Sequence, residues 1–106
     1  SSHNFKIPSD RNQACLDLER LEFPLKVRRW QPGDRFFPLG MKHPKKVSDF
    51  LIDEKVPLNI KDRVCVLASG EEIAWLIGYR IDDRFKVTEV TQNIFKAVKL
   101  EDDQPV

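Results

Sequence analysis

Val64-Cys65-Val66-Leu67-Ala68-Ser69-Gly70-Glu71-Glu72-Ile73-Ala74-Trp75-Leu76-Ile77 sets the fold class of this chain. Val64 to Ala68 and Ile73 to Ile77 are apolar and rich in β-branched residues, and Ser69-Gly70-Glu71 separates them. Short apolar runs around a turn signal read as a buried β-hairpin. Gly78 ends the second strand, where a bulge is expected. Upstream, residues 14–18 and 23–30 read as strands. In the second, Phe23, Leu25 and Val27 alternate with Lys26, Arg28 and Trp30, which gives one greasy face and one cationic face ending in an indole. Gln31-Pro32-Gly33-Asp34-Arg35 is a turn, because Pro32 presets its φ and Gly33 tolerates a positive one. A second tight passage, Pro38-Leu39-Gly40-Met41, follows, and the two flank Phe36-Phe37, which should anchor the loop to the core. Val47, Phe50 and Leu51 recur at helical spacing. They predict a short helix over 46–55, stopped by Pro57, with a helical turn near 58–62. A last strand covers roughly 93–99. The class is α+β: five or so strands with one or two short helices.

At 106 residues the chain fits one domain over 1–106. A hydrophobic fraction of 41% and a charged fraction of 33% argue against disorder. No apolar run approaches the ~20 residues that cross a bilayer. The opening Ser1-Ser2-His3 lacks an initiator Met and reads as the start of a fragment of a longer protein. The tail Glu101-Asp102-Asp103-Gln104-Pro105 is acidic and expected to fray. Cys15 and Cys65 each sit in an apolar run, and two buried, reduced thiols are expected. There is no CxxC or HExxH spacing, and His3 and His43 are the only histidines, so a zinc site is not expected.

Net charge is only +1, but it is unevenly spread. Residues 24–46 hold Lys26, Arg28, Arg29, Arg35, Lys42, Lys45 and Lys46 against Asp34 alone. A phosphate-binding surface needs such a concentration of cations on an otherwise neutral domain. Lys26-Val27-Arg28-Arg29-Trp30 interleaves cations with an aromatic, as contacts to phosphates and unpaired bases require. It equally describes a solvated strand face with Trp30 folded over the core edge. Lys45 and Lys46 fall where the short helix begins, an end that disfavours cations by up to ~1 kcal/mol each. They are explained either by an anion docking from outside or by side chains swung into solvent. Asp82-Asp83 lie between Arg80 and Arg84, so ion pairing is the reading preferred over acid–base work. GxxxxGK[ST], GxGxxG and nucleophile-elbow patterns are absent, which leaves no catalytic expectation.

One resemblance goes further. The stretch Arg29-Trp30-Gln31-Pro32-Gly33-Asp34-Arg35-Phe36-Phe37-Pro38-Leu39-Gly40-Met41, then Lys45-Lys46-Val47-Ser48-Asp49-Phe50-Leu51-Ile52-Asp53, resembles the C-terminal domain of tRNA(Ile)-lysidine synthetases. The resemblance continues through Val56-Pro57, Asp62-Arg63-Val64 and Ile73 to Asp82, and covers roughly 23–88. It departs at His43-Pro44, where family members often carry glycine. The resemblance implies a small β-sandwich-like domain with short helices, similar to one in the phenylalanyl-tRNA synthetase β subunit. It implies a parent ligase that uses ATP and lysine to convert the wobble cytidine of a CAU anticodon to lysidine. That chemistry belongs to an N-terminal domain with an SGGxDS loop, which this chain lacks. Expected here, therefore, are no catalytic residues, no cofactor in this fragment, and a tRNA-holding role. Lys26, Arg28, Arg29, Trp30, Arg35, Lys42, Lys45 and Lys46 are the candidate contacts. Expected partners are tRNA(Ile) with a CAU anticodon, the protein's own catalytic domain and a homodimer mate, in the cytoplasm and off the membrane. The alternative is a docking or dimerisation module whose basic patch is incidental.

Overall fold

The computed structural model describes residues 10–100 of the chain. The expected hairpin is there: β5 (Cys65–Ser69) and β6 (Glu72–Leu76) pair antiparallel, with Ser69 opposite Glu72. That register leaves the two-residue loop Gly70-Glu71. Gly70 has φ 59°, and a Cβ there would lie 2.7 Å from Glu22 Oε1. A two-residue loop with positive φ at its first central position matches the strand twist, and the backbone there favours glycine, while the exposed Glu22 side chain can swing aside for a Cβ. β2 (Leu25–Arg29) pairs with the other edge of β5, and β7 (Arg80–Ile81) pairs with β6. The sheet order is β2-β5-β6-β7.

The bulge expected at Gly78 lies inside the hairpin instead. Leu67 faces Trp75 while Ala68 faces Ile73, so Ala74 is the extra residue. Two residues of a bulged strand oppose one on its partner. The consequence is that Ile73 and Leu76 join one core cluster, while the consecutive Ala74 and Trp75 both join the other. Gly78 sits in the turn between β6 and β7.

The bulged sheet is thus covered on both faces. On one lie β3 (Arg35–Phe36), β4 (Lys45–Lys46) and the helix α1 (Val47–Asp53). Phe36, Val47, Phe50 and Leu51 pack there against Val64, Val66, Ile73 and Leu76. On the other lie β1 (Gln13–Asp17) and β8 (Ile94–Val98), paired antiparallel. Ala14 and Leu16 of β1 pack there with Leu67, Ala74, Trp75 and Phe85. Stacked sheets with a helix on one side give the α+β, sandwich-like class. The short helix ends at Asp53, two residues earlier than expected. Glu54 N–H bonds back to Phe50, and Lys55 turns left-handed at φ 58°. Pro57 opens the next element, capping the one-turn helix α2 (Leu58–Lys61).

At the edges, the greasy face of the second strand is left open to solvent, Phe23 being 55% and Val27 65% exposed, and the burial expected of Cys65 fails. β2 is an edge strand, and the β1–β8 layer reaches Leu25 without reaching Val27. The opposite face carries Trp30 into the α1 cluster instead. Cys15 is buried, and burial pushes its thiol up against a weaker downward pull from Lys96. Cys65 begins β5 at the end of the sheet and is only half-buried, its Sγ 3.5 Å from the Arg63 carbonyl. Both are free thiols. A reductant should therefore leave the melting temperature unchanged. Limited alkylation followed by peptide mass spectrometry should find Cys65 modified well before Cys15, since the more accessible thiol reacts first and burial holds the Cys15 thiol up.

Candidate nucleic-acid interface

The loop after β2 is built around Asp34. Its carboxylate takes the Arg28 guanidinium in a two-pronged bond, at 2.9 and 3.2 Å, and the Gln31 amide at 2.7 Å. Its own amide bonds to Gln31 O, closing a turn in which Gly33 has φ 95°, as position i+2 of a type II turn requires. Its carbonyl accepts from Val47 N–H at 3.0 Å, the first residue of α1. One residue thus holds the end of β2, the turn and the helix start together. Burial pushes the Asp34 carboxyl up, but Arg28 and the Gln31 amide outweigh it and hold it below the usual range. Asp34 in turn raises the Arg28 pKa.

The second half of the loop hangs on Asp82 and Asp83, both buried. Asp82 accepts from Phe37 N–H at 2.8 Å and from three nitrogens of Arg84. Asp83 accepts from Gly40 N–H at 3.0 Å and pairs with Lys42 and Lys86. Ion pairing is thus the role of this acidic pair. Arg80 is the exception, turning to Glu54 at 4.0 Å. Phe36 is fully buried, and Phe37 lies under Arg84, 4.5 Å from its ring centroid. The Gly40 amide first, then Lys86 and Lys42, hold Asp83 down at about 2 against burial. A carboxyl lowered on folding stabilises fully above its ordinary value of 3.8, and that stability is lost as pH falls towards 2. Acid titration of tryptophan fluorescence should show a loss of roughly 1–2 kcal/mol across that window after allowing for screening, and Asp83→Asn should abolish it.

On this frame the predicted cations divide. Arg28 is committed to Asp34, Lys42 to Asp83, and Lys45 to Asp53 at the far end of α1. Trp30 lies half-buried against the core, its Nε1–H donating to Lys61 O at 2.7 Å, with the Lys61 ammonium over its ring. Lys26, Arg29, Arg35 and Lys46 are exposed and make no ion pair among the described residues. Arg35 and Lys46 are direct cross-strand partners in the β3–β4 ribbon. Like charges placed opposite each other are destabilising. Buried Phe36 and Val47 follow them in sequence and hold the ribbon in place. Lys46 is also the N-cap of α1, where it makes no side-chain capping bond. Arg29 stands opposite Cys65, on the face away from Lys26. Arg63 and Lys99, outside the basic segment 24–46 that the sequence marks, border a groove beside Cys65. No local pattern marked them.

The model of the TilS substrate C-terminal domain matches residues 25–99. The chain belongs to this family. The domain is shared with named tRNA(Ile)-lysidine synthases. That of Bacteroides thetaiotaomicron is 45% identical over 91 residues, covering 86% of this chain and 21% of the relative. The Parabacteroides distasonis protein is 42% identical over the same shares. That of Clostridium tetani is 43% identical over 81% of this chain and 18% of its own. The chain thus spans about a fifth of the relatives it matches. A crystal structure of a TilS C-terminal domain superposes with a TM-score of 0.74 at 23% identity, over 91% of this chain and 74% of that one. That similarity fixes the fold of this family member. The matched span includes the Asp34 turn, the β3–β4 ribbon and the buried Asp82 and Asp83.

Proposed function

We propose that this chain, as one domain over 1–106, is the tRNA-holding part of a tRNA(Ile)-lysidine synthase. The parent enzyme then uses ATP and lysine on the CAU anticodon of tRNA(Ile), with the reacting groups in its N-terminal domain and the tRNA body resting here. The observation that carries this reading is the Arg35–Lys46 pair: two exposed cations opposite one another with no carboxylate partner among the described residues. Such a pair costs folding energy and is relieved by an anion that bridges it. Lys26 extends the contact along β2. Lys42 and Lys45 serve the scaffold first, and Arg28 and Trp30 position the loop rather than touch RNA. No helix among the described residues is long and apolar enough to cross a membrane, and the site of action we propose is the cytoplasm.

Titration of the chain with tRNA at two salt concentrations tests this. If Lys26, Arg35 and Lys46 each reach a phosphate, log affinity should fall against log salt with a slope of roughly −3, taking the duplex coefficient of ~0.9 per contact. A docking or dimerisation module is the second reading, favoured by Ile52 and Leu58, exposed at 60% and 82% along the α1–α2 edge. Apolar docking to the catalytic domain or a second copy would leave tRNA binding absent or flat against salt.

A further inference from the structure

The groove beside Cys65 has a volume of about 410 Å³. It lies at the end of the central sheet, where β5 starts and the chain leaves β6. Ile60, Val64 and Ile77 supply apolar surface, and the half-buried Tyr79 adds a phenol ring. Arg63 and Lys99 complete the lining. Both are exposed and unpaired among the described residues, and the lining includes no carboxylate. Arg29, the free cation of β2 that faces away from Lys26, is the cross-strand partner of Cys65. Two unopposed cations therefore line an apolar slot within the ~300–1,000 Å³ range of small-ligand sites, with Arg29 on the neighbouring strand opposite Cys65.

We propose that this groove binds an unpaired nucleotide of RNA, taking the base against Ile60, Ile77 and Tyr79 and the flanking phosphates on Arg63 and Lys99. The assignment rests on the tRNA-holding reading and adds a second contact to it, separate from the β3–β4 ribbon. Charge complementarity selects the ligand. An apolar peptide would leave both cations without partners, and a duplex buries its bases and offers nothing to the slot. Single-stranded RNA supplies both a π-face and phosphates at adjacent positions. Arg29 shares a strand with Lys26, but pleating sends its side chain to the opposite face, the one that Cys65 shares.

Cys65 is a built-in reporter, because it lines the groove while buried Cys15 serves as the internal control. The test is the rate of Cys65 alkylation by iodoacetamide, read by peptide mass spectrometry, with a single-stranded RNA hexamer or a blunt RNA duplex added. The hexamer should slow Cys65 about tenfold, a modest effect for stacking one base, and leave Cys15 unchanged. The duplex should not slow it. Arg63→Glu with Lys99→Glu, both surface changes, should abolish protection while circular dichroism stays native. Arg35→Glu with Lys46→Glu should keep hexamer protection while losing tRNA affinity, so failure of the ribbon and failure of the groove are told apart. The proposal is overturned if saturating hexamer leaves Cys65 as reactive as before, if the duplex protects equally, or if a hexaglutamate peptide protects as well as RNA. The wild-type comparison stands even if the groove variant does not fold.

Discussion

Asp82→Ala is expected to lower the stability of this domain by roughly 3 kcal/mol or more, the largest single loss available outside the apolar core. Asp82 is fully buried, and its carboxylate is the acceptor for two backbone amides, Phe37 and Arg84, and for the Arg84 side chain. Each amide left unsatisfied in the interior costs about 1–3 kcal/mol. Arg84 contributes less, because it is one-third exposed and keeps Glu72 at 2.8 Å. A loss of that size should move the thermal midpoint down by about 12 °C or more in a domain of this length. Asp82→Asn retains an acceptor oxygen and the side-chain volume, so about half the loss is expected. Urea unfolding with an unchanged slope would confirm that the native state alone is affected. A midpoint shift of under ~4 °C for the alanine variant, less than 1 kcal/mol, would mean that the Phe37–Gly40 loop is held by something other than these carboxylates.

That loop shows where sequence was informative and where it was not. The hairpin from Val64 to Ile77, the Pro32-Gly33 turn and the Val47–Phe50–Leu51 helix are local: short-range periodicity and turn chemistry define them, and they are present with shifted ends. Alternation along β2 tells which residues share a face, not whether another layer covers that face. Val27 lies beyond the reach of β1 and β8, which come from the two ends of the chain. The bulge was misplaced because Ala74 carries no local mark of its role, whereas glycine at 78 looks like one. In the candidate site, charge density picked out the right segment but could not sort it. Arg28, Lys42 and Lys45 each find a carboxylate 6, 41 and 8 residues away in sequence. Pairings of this kind are set by tertiary closeness. The resemblance supplied the family, and the structure supplied the division into committed and free cations.

Arg35→Glu with Lys46→Glu is expected to reduce tRNA affinity by at least about two orders of magnitude near 0.1 M salt. Each phosphate contact contributes close to tenfold there through counterion release, and reversal adds repulsion to the loss of two contacts. The salt slope should flatten by about two. Folding gives an independent measure of the same pair. The double reversal replaces one like-charged pair by another, so stability should stay within ~0.5 kcal/mol of the parent. Arg35→Glu alone places an acid opposite Lys46 and should raise stability by ~0.2–1 kcal/mol while still weakening tRNA binding. Lys45→Ala behaves differently, because its ammonium is bound to Asp53 and its backbone faces Phe36. It should change the salt slope little. A single substitution that strengthens the fold and weakens binding identifies a site kept for a ligand rather than for stability. If Arg35→Glu stabilises the domain and leaves both tRNA affinity and salt slope untouched, the ribbon is incidental and the exposed apolar edge at Ile52 and Leu58 becomes the working surface.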